Sequence, residues 1–176
     1  FVVPEERGGI GGTPEQLSLL LLVIAQREAG FAALILVHNL ACYFLMQSQK
    51  EIPSEKLLTF PAYIDPENLE DSALKSEKAG NGKIKISGRM RNIISAGIAD
   101  GMMIPVIEPE GISWFYLDLH QPMVKREKIP LTLGLRTNSH ENFIFEKVEL
   151  PEADRLGKAG TVSYTHLRAH ETVLDL

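Results

Sequence analysis

The sequence predicts an α+β chain in which two apolar helices precede a run of short strands that close into a small antiparallel β-barrel. Three observations lead there. A helix start at Thr13-Pro14-Glu15-Gln16 opens two apolar runs, residues 17–25 and 31–46. Asn81-Gly82, a pair suited to the positive φ angles of a type I′ turn, precedes strict alternation from Lys83 to Asn92. Between them Pro53, Pro61 and Pro66 stand among Glu51, Glu55, Glu67, Glu70 and Asp71, a density of proline that breaks helices and marks a domain crossing near residues 52–58.

Composition bounds the function. With 176 residues, 44% of them hydrophobic, the chain can bury a core. Its net charge of −5 argues against a general nucleic-acid binder, whose affinity rests on neutralising phosphates. The single cysteine, Cys42, lies in an apolar run, so no intramolecular disulfide can form and a reducing, cytoplasmic setting is the simplest reading. No base that would activate the thiol is evident. Phe1-Val2-Val3-Pro4 lacks the charged start and cleavage site of a signal peptide, and the chain reads as an internal piece. Both apolar runs fall short of the roughly 20 residues of a spanning helix. They read as buried helices of a soluble bundle, with no membrane span.

In chain order, Thr13 is the N-cap, Pro14 the first helical residue and Gln16 the partner in a capping box. This helix is expected to reach about Ala29 and stop at Gly30. Leu17, Leu19 to Leu22, Val23 and Ile24 cover most of its circumference, which predicts burial on several sides. A second helix over residues 31–47 is apolar for the same reason, and the pair needs further helices to cover it. His38 within it reads as a core histidine donating to a neighbour.

After the Asn81-Gly82 turn, Lys83, Lys85, Ser87, Arg89 and Arg91 form one face and Ile84, Ile86, Gly88, Met90 and Asn92 the other. A turn at Ala96-Gly97 leads to the apolar return of residues 102–107, interrupted by Pro105. Glu110-Gly111 is another turn. Residues 112–119, with Trp114, suit a central strand. Phe143, Phe145 and Val148 mark an amphipathic strand ended by Pro151. Six to eight short strands at this spacing suggest a barrel or sandwich.

Three stretches carry a family resemblance: VPEERGG with the helix after it, SGRMRNIISAGIAD, and GLRTNSHENFIFEKVELPEADRLG. In order and spacing they resemble successive landmarks of the acyl-CoA dehydrogenase family, over about residues 3–160. The resemblance implies a multidomain protein: a partial N-terminal helical domain at 1–52, a middle β-barrel domain at 53–160, and a C-terminal helical domain that is absent. It implies a flavoprotein that desaturates an acyl-CoA thioester between its α and β carbons. That chemistry needs a carboxylate base, hydrogen bonds to the thioester carbonyl, and FAD to accept hydride. Acyl-CoA, an electron-transfer flavoprotein or similar acceptor, and further copies joined through the missing domain are the implied partners. In most of the family the base comes from the C-terminal domain, so no catalytic residue is assigned here.

The resemblance places flavin contacts at Ala62 and Asn68, where the family has a T-E-P-x-x-G-S-D loop, and at Asn92, Ile94 and Ser95, where it has W-I-T-N or W-I-S-N. Both motifs depart. Asn92 replaces the tryptophan, Ile94 a hydroxyl-bearing residue and Ser95 the asparagine. Two classes of function follow: a divergent FAD-dependent dehydrogenase, or a non-catalytic paralogue that keeps the fold for acyl-CoA binding or assembly. The basic stripe of Lys83, Lys85, Arg89 and Arg91 reads as a solvated face that discourages edge pairing, ahead of a role in meeting CoA or FAD phosphates.

Residues 161–176 stand apart. His166 and His170 would share a helical face, but no third ligand accompanies them and no metal is assigned. TVSYTHLRAHET resembles a translated sequencing adapter, and the segment is expected to be non-native and without function.

Overall fold

The computed structural model describes residues 1–61, 73–130 and 134–157. Two helices, α1 (Pro14–Ala25) and α2 (Ala29–Gln47), precede the strands β1 (Leu58–Thr59), β2 (Leu74–Gly80), β3 (Lys83–Ile93), β4 (Gly101–Glu108), β5 (Gly111–Asp118), β6 (Val124–Lys128), β7 (Glu141–Pro151) and β8 (Arg155–Leu156). The adapter-like segment at 161–176, with His166 and His170, lies outside the described residues.

Helix α1 starts as its sequence predicts. The Thr13 hydroxyl accepts from the Gln16 N–H at 3.2 Å and the Gln16 side chain accepts from the Thr13 N–H at 2.9 Å. Its end differs from expectation. The helix stops at Ala25, and Gly30 lies in the first turn of α2, which Glu28 caps by accepting from the Gly30 N–H at 3.1 Å. Gly30 is there for closeness rather than for left-handed backbone: a Cβ would sit 2.4 Å from the Thr137 hydroxyl oxygen. The expected burial of α1 also fails. Leu17 is its one buried residue, while Leu19, Leu22 and Val23 are at least 60% exposed.

The described strands form one open sheet in the order β6-β7-β3-β2-β4-β5-β8, with β1 also on β4. This corrects the antiparallel barrel: β6 and β8 end the order without pairing to each other, and β1 and β2 both run parallel to β4. Two parallel neighbours on one side of β4 require crossovers, which local hairpin signals do not reveal. The hairpin signals themselves hold. Asn81 and Gly82 take φ of 53° and 68° between β2 and β3, and β4 and β5 pair closely from Gly101↔Asp118 to Glu108↔Gly111.

Strand β3 alternates until a bulge. Ile84, Ile86 and Met90 are buried, but Arg91 and Asn92, between Met90 and Ile93, oppose the single Asn142 on β7, and Asn92 sits at φ 54°. The extra residue reverses the phase, so Ile93 enters the core and Asn92, expected on the apolar face, is exposed. A matching bulge on β7, with Lys147 at φ 54°, shifts burial from Phe143 and Phe145 to Val148 and Leu150.

The sheet is apolar on both sides. One core joins Ile84, Ile86, Met102, Ile104, Phe115, Phe143 and Phe145. The other packs Met103 and Trp114 against Val37, Ala41, Cys42 and Leu45 of α2. At about 1.5–3 kcal/mol for each fully buried large side chain, these two layers dominate the stability. Helix α2 is 19 residues long with a mean hydropathy of 1.8, enough by length and composition to cross a membrane, yet one of its faces is spent against the sheet.

Three of the four cations of the basic stripe on β3 are paired. Lys83 and Lys85 lie 3.4 and 3.5 Å from Glu149 of β7, and Arg89 bonds Glu127 of β6. Because β3 is flanked by β2 and β7, the stripe does not guard an edge as expected. One edge of the sheet belongs to β6, itself Val-Lys-Arg-Glu-Lys.

Candidate functional site

The site is built around the turn at residues 94–98 that joins β3 to β4. The Thr59 hydroxyl donates to the Ile94 carbonyl at 2.6 Å, and the Arg126 guanidinium donates to the Ala96 and Ala99 carbonyls at 2.9 and 3.1 Å. Behind the turn, Asn138 links three segments. Its Oδ1 accepts from the Ser95 N–H and hydroxyl at 2.8 and 3.0 Å, and its Nδ2 donates to the Gly30 carbonyl at 3.0 Å. Glu28 adds to the junction by accepting from the Thr137 hydroxyl at 2.6 Å.

The sequence-predicted contacts can now be placed. Ala62 and Asn68 lie outside the described residues. Ser95 is fully buried with φ 61°, and both its donors are taken by Asn138. Ile94 is half-buried and packs on the Trp114 core. Asn92 donates its N–H to Asn142 Oδ1 at 3.0 Å and meets His140 Nδ1 with its own Oδ1 at 2.9 Å. The structure thus brings Asn92, Ile94 and Ser95 together at the end of β3 and the turn after it, with the Asn92 N–H and Oδ1 and both Ser95 donors engaged within the protein. The Ile94 side chain, with no polar group, and the Ser95 hydroxyl, spent on Asn138, do not fit the hydrogen-bonding edge of a flavin ring.

A network runs outward from Asn92. Asn142 donates to Glu127 at 3.0 Å, and the Asn142 bond together with Arg89 holds the Glu127 carboxyl below its ordinary range. On the other side of the turn, a cleft of about 460 Å³ opens between Gly97, Ile98, Lys128 and the loop carrying Arg136, Thr137, Ser139, His140 and Glu141. The Ser139 hydroxyl oxygen accepts from the Gly97 N–H at 3.0 Å, and a Cβ on Gly97 would sit 2.7 Å from that oxygen. Sequence reasoning passed over His140 and Glu141, quoted only within a landmark. Their one signal was a titratable pair directly after a Gly134-to-Ser139 loop.

His38 Nδ1 accepts from the Leu58 N–H at 3.1 Å, so the neutral ring carries its proton on Nε2, 3.6 Å from the Cys42 sulfur. The histidine therefore accepts from the Leu58 backbone and donates its Nε2–H to Cys42, the donation to a neighbour that was expected. Burial lowers the His38 pKa and raises that of Cys42, which keeps the pair neutral and the thiol unreactive. Asp100, which closes the turn, accepts from the Leu57 N–H at 2.8 Å and pairs with His120 at 3.0 Å; the His120 bond holds its carboxyl below the ordinary range. Among the described residues no three His, Cys, Asp or Glu side chains group as a metal site.

A two-helix lead packed on one face of a mixed sheet, with this turn at the junction, defines the fold of the acyl-CoA dehydrogenases. The chain superposes with a TM-score of 0.80 on 49% of an acyl-CoA dehydrogenase from Geobacillus kaustophilus, at 17% identity over 96% of its own length. It superposes with a TM-score of 0.76 on 47% of butyryl-CoA dehydrogenase from Megasphaera elsdenii, at 21% identity over 90% of its length. In sequence it is 29% identical to an acyl-CoA dehydrogenase of Bacillus subtilis, covering 90% of this chain and 46% of that protein. No family model matches the chain. The resemblance to the acyl-CoA dehydrogenase family holds in sequence and in fold, and the chain spans about half the length of the relatives it matches.

Proposed function

We propose that this chain is the helix-and-sheet half of an acyl-CoA dehydrogenase-type protein that takes an acyl-CoA thioester. The observation that carries this reading is the junction at Asn138, which ties the second landmark, at Ser95, to the third and to the start of α2. The length of the relatives and the exposed apolar face of α1 support a further helical half that covers the face. In the catalytic form of the reading, that half supplies the base for α,β-desaturation, joins copies into a homo-oligomer and completes the flavin site. FAD would then be held through backbone amides here and side chains elsewhere, with an electron-transfer flavoprotein as acceptor in the cytoplasm. Domain limits at 1–52 and 53–160 belong to the same reading.

The engaged N–H and Oδ1 of Asn92, the engaged donors of Ser95, and Ile94 in place of a hydroxyl favour a second reading. In it the protein keeps the fold as a binding or assembly module without redox chemistry. The visible absorption spectrum of the full-length parent, after reconstitution with FAD, separates the two. A bound flavin band that bleaches on adding acyl-CoA supports the dehydrogenase. Acyl-CoA binding without a flavin band supports the module, and failure to bind acyl-CoA contradicts both.

A further inference from the structure

Strand β1 and the residue before it are gripped from two sides, and a histidine stands behind each grip. The Leu58 N–H points to α2 and donates to His38 Nδ1 at 3.1 Å, while Nε2 of the same ring lies 3.6 Å from the Cys42 sulfur. The Leu57 N–H points to the sheet instead. It donates to Asp100 Oδ2 at 2.8 Å, and the Leu57 carbonyl accepts from the Asp100 and Gly101 N–H groups at 2.8 and 3.3 Å. Asp100 Oδ1 in turn meets His120 Nε2 at 3.0 Å. The first histidine touches the strand directly; the second reaches it through a carboxylate.

A proton therefore acts oppositely at the two rings. Nδ1 of His38 accepts from Leu58 only while it is unprotonated, because imidazolium carries a hydrogen on both nitrogens and has no acceptor. Protonation sets two donors against each other and leaves the Leu58 N–H without its partner. At His120 a proton turns the bond to the ionised Asp100 into a charge-assisted one, which keeps Leu57 on the sheet. The neighbouring groups do not reverse this. His38 is faced by Cys42, which burial keeps a thiol, and by the Phe1 amine, which bonds Asn39 at 2.7 Å. Of the elements packed on α2, α1 carries one charge, the exposed Glu15, and Met103 and Trp114 of the sheet carry none. Asp100 is faced by Lys56, which pairs with Asp118 at 2.8 Å, and by the Tyr116 phenol, which burial keeps protonated.

We propose that His38 is a proton-operated release between the helices and the sheet: in mild acid β1 lets go of α2 and stays on β4. Thr59, next in the strand, holds the Ile94 carbonyl at 2.6 Å, so the release begins one residue from the support of the 94–98 turn. The device uses no flavin or acyl-CoA contact and is independent of the function proposed above.

Amide hydrogen exchange of the whole chain, followed by NMR from about pH 8 to about pH 5, tests it, with the His38 ring-nitrogen signals recording the titration. Each rate is divided by that of the unstructured amide at the same pH. Below the ordinary histidine value of 6.5, Leu58 protection should fall by up to about tenfold for each pH unit until His38 is fully protonated. Leu57 protection should hold over the same range, and Ile104 of β4 reports any opening of the whole sheet. In His38→Gln the Leu58 protection should no longer follow this course. The comparison of Leu58 with Leu57 in the unaltered chain decides the matter even where that variant does not fold. A His38 ring still neutral at about pH 5, Leu58 protection that stays constant while His38 titrates, or a fall in step with Leu57 and Ile104 would overturn the proposal.

Discussion

Helix α1 and strand β4 are among the most apolar stretches of the chain, and the structure treats them oppositely. From Gly101 to Val106 every residue of β4 is buried, because the sheet has a core on each face and β4 has neighbours on both sides. In α1 only Leu17 is buried, and Leu19, Leu22 and Val23 face outward. The difference teaches that apolar composition predicts that a surface will be covered, without saying whether the cover lies in the same chain. A face of this kind on a helix marks an interaction surface.

The largest test of that contrast is a pair of truncations. Phe143→Ala, in the sheet core, should cost about 3–5 kcal/mol in denaturant unfolding. Leu22→Gln on α1 should change stability by no more than about 0.5 kcal/mol while reducing self-association in sedimentation. A comparable loss in both would mean that α1 is buried in solution. Next in size is the junction that joins helices to sheet. Asn138→Ala removes the acceptor for both Ser95 donors and the bond to Gly30, and should cost roughly 1–3 kcal/mol by the same measurement.

A smaller effect is expected with acid. Burial holds His38 deprotonated in the folded chain, so the unfolded chain binds more protons below the ordinary histidine value of 6.5. Stability is therefore complete above that value and falls as pH drops through it. His140, shifted the same way, adds to the decline. Asp100 and Asp118, both held below 3.8, extend it at lower pH, where protonation breaks their bonds to His120 and Lys56. Melting temperature followed against pH should show the first decline blunted in His38→Gln. The smallest effect concerns the basic stripe: Lys85→Glu breaks an exposed pair with Glu149 and should cost no more than about 1 kcal/mol, less in high salt. A large, salt-dependent loss of acyl-CoA binding in that variant would instead revive a phosphate contact.

What the sequence disclosed follows from how local each signal was. The Thr13 capping box, the Asn81-Gly82 turn and the alternation from Lys83 to Met90 are set within a few residues, and each was readable. The parallel placement of β1 and β2 beside β4 depends on partners some 30–45 positions away, and no periodicity reports it. Bulges were equally hidden. Asn92 and Lys147 each add one residue to a strand, and the resulting phase change is visible only against the partner strand. Gly30 shows the same limit from another side, since its need for glycine comes from Thr137 across the fold and not from the end of a helix. For the candidate site, resemblance pointed to the turn after β3. It could not show that Asn138 closes over Ser95 or that Asn92 is taken by Asn142 and His140, because those partners arrive from the third landmark.

The central claim is that Ser95 serves the fold, with both of its donors spent on Asn138. Denaturant unfolding of Ser95→Ala tests it most directly. The account predicts a loss of about 0.5–1.5 kcal/mol, the net worth of one buried hydrogen bond. Unchanged stability in the folded variant would contradict it.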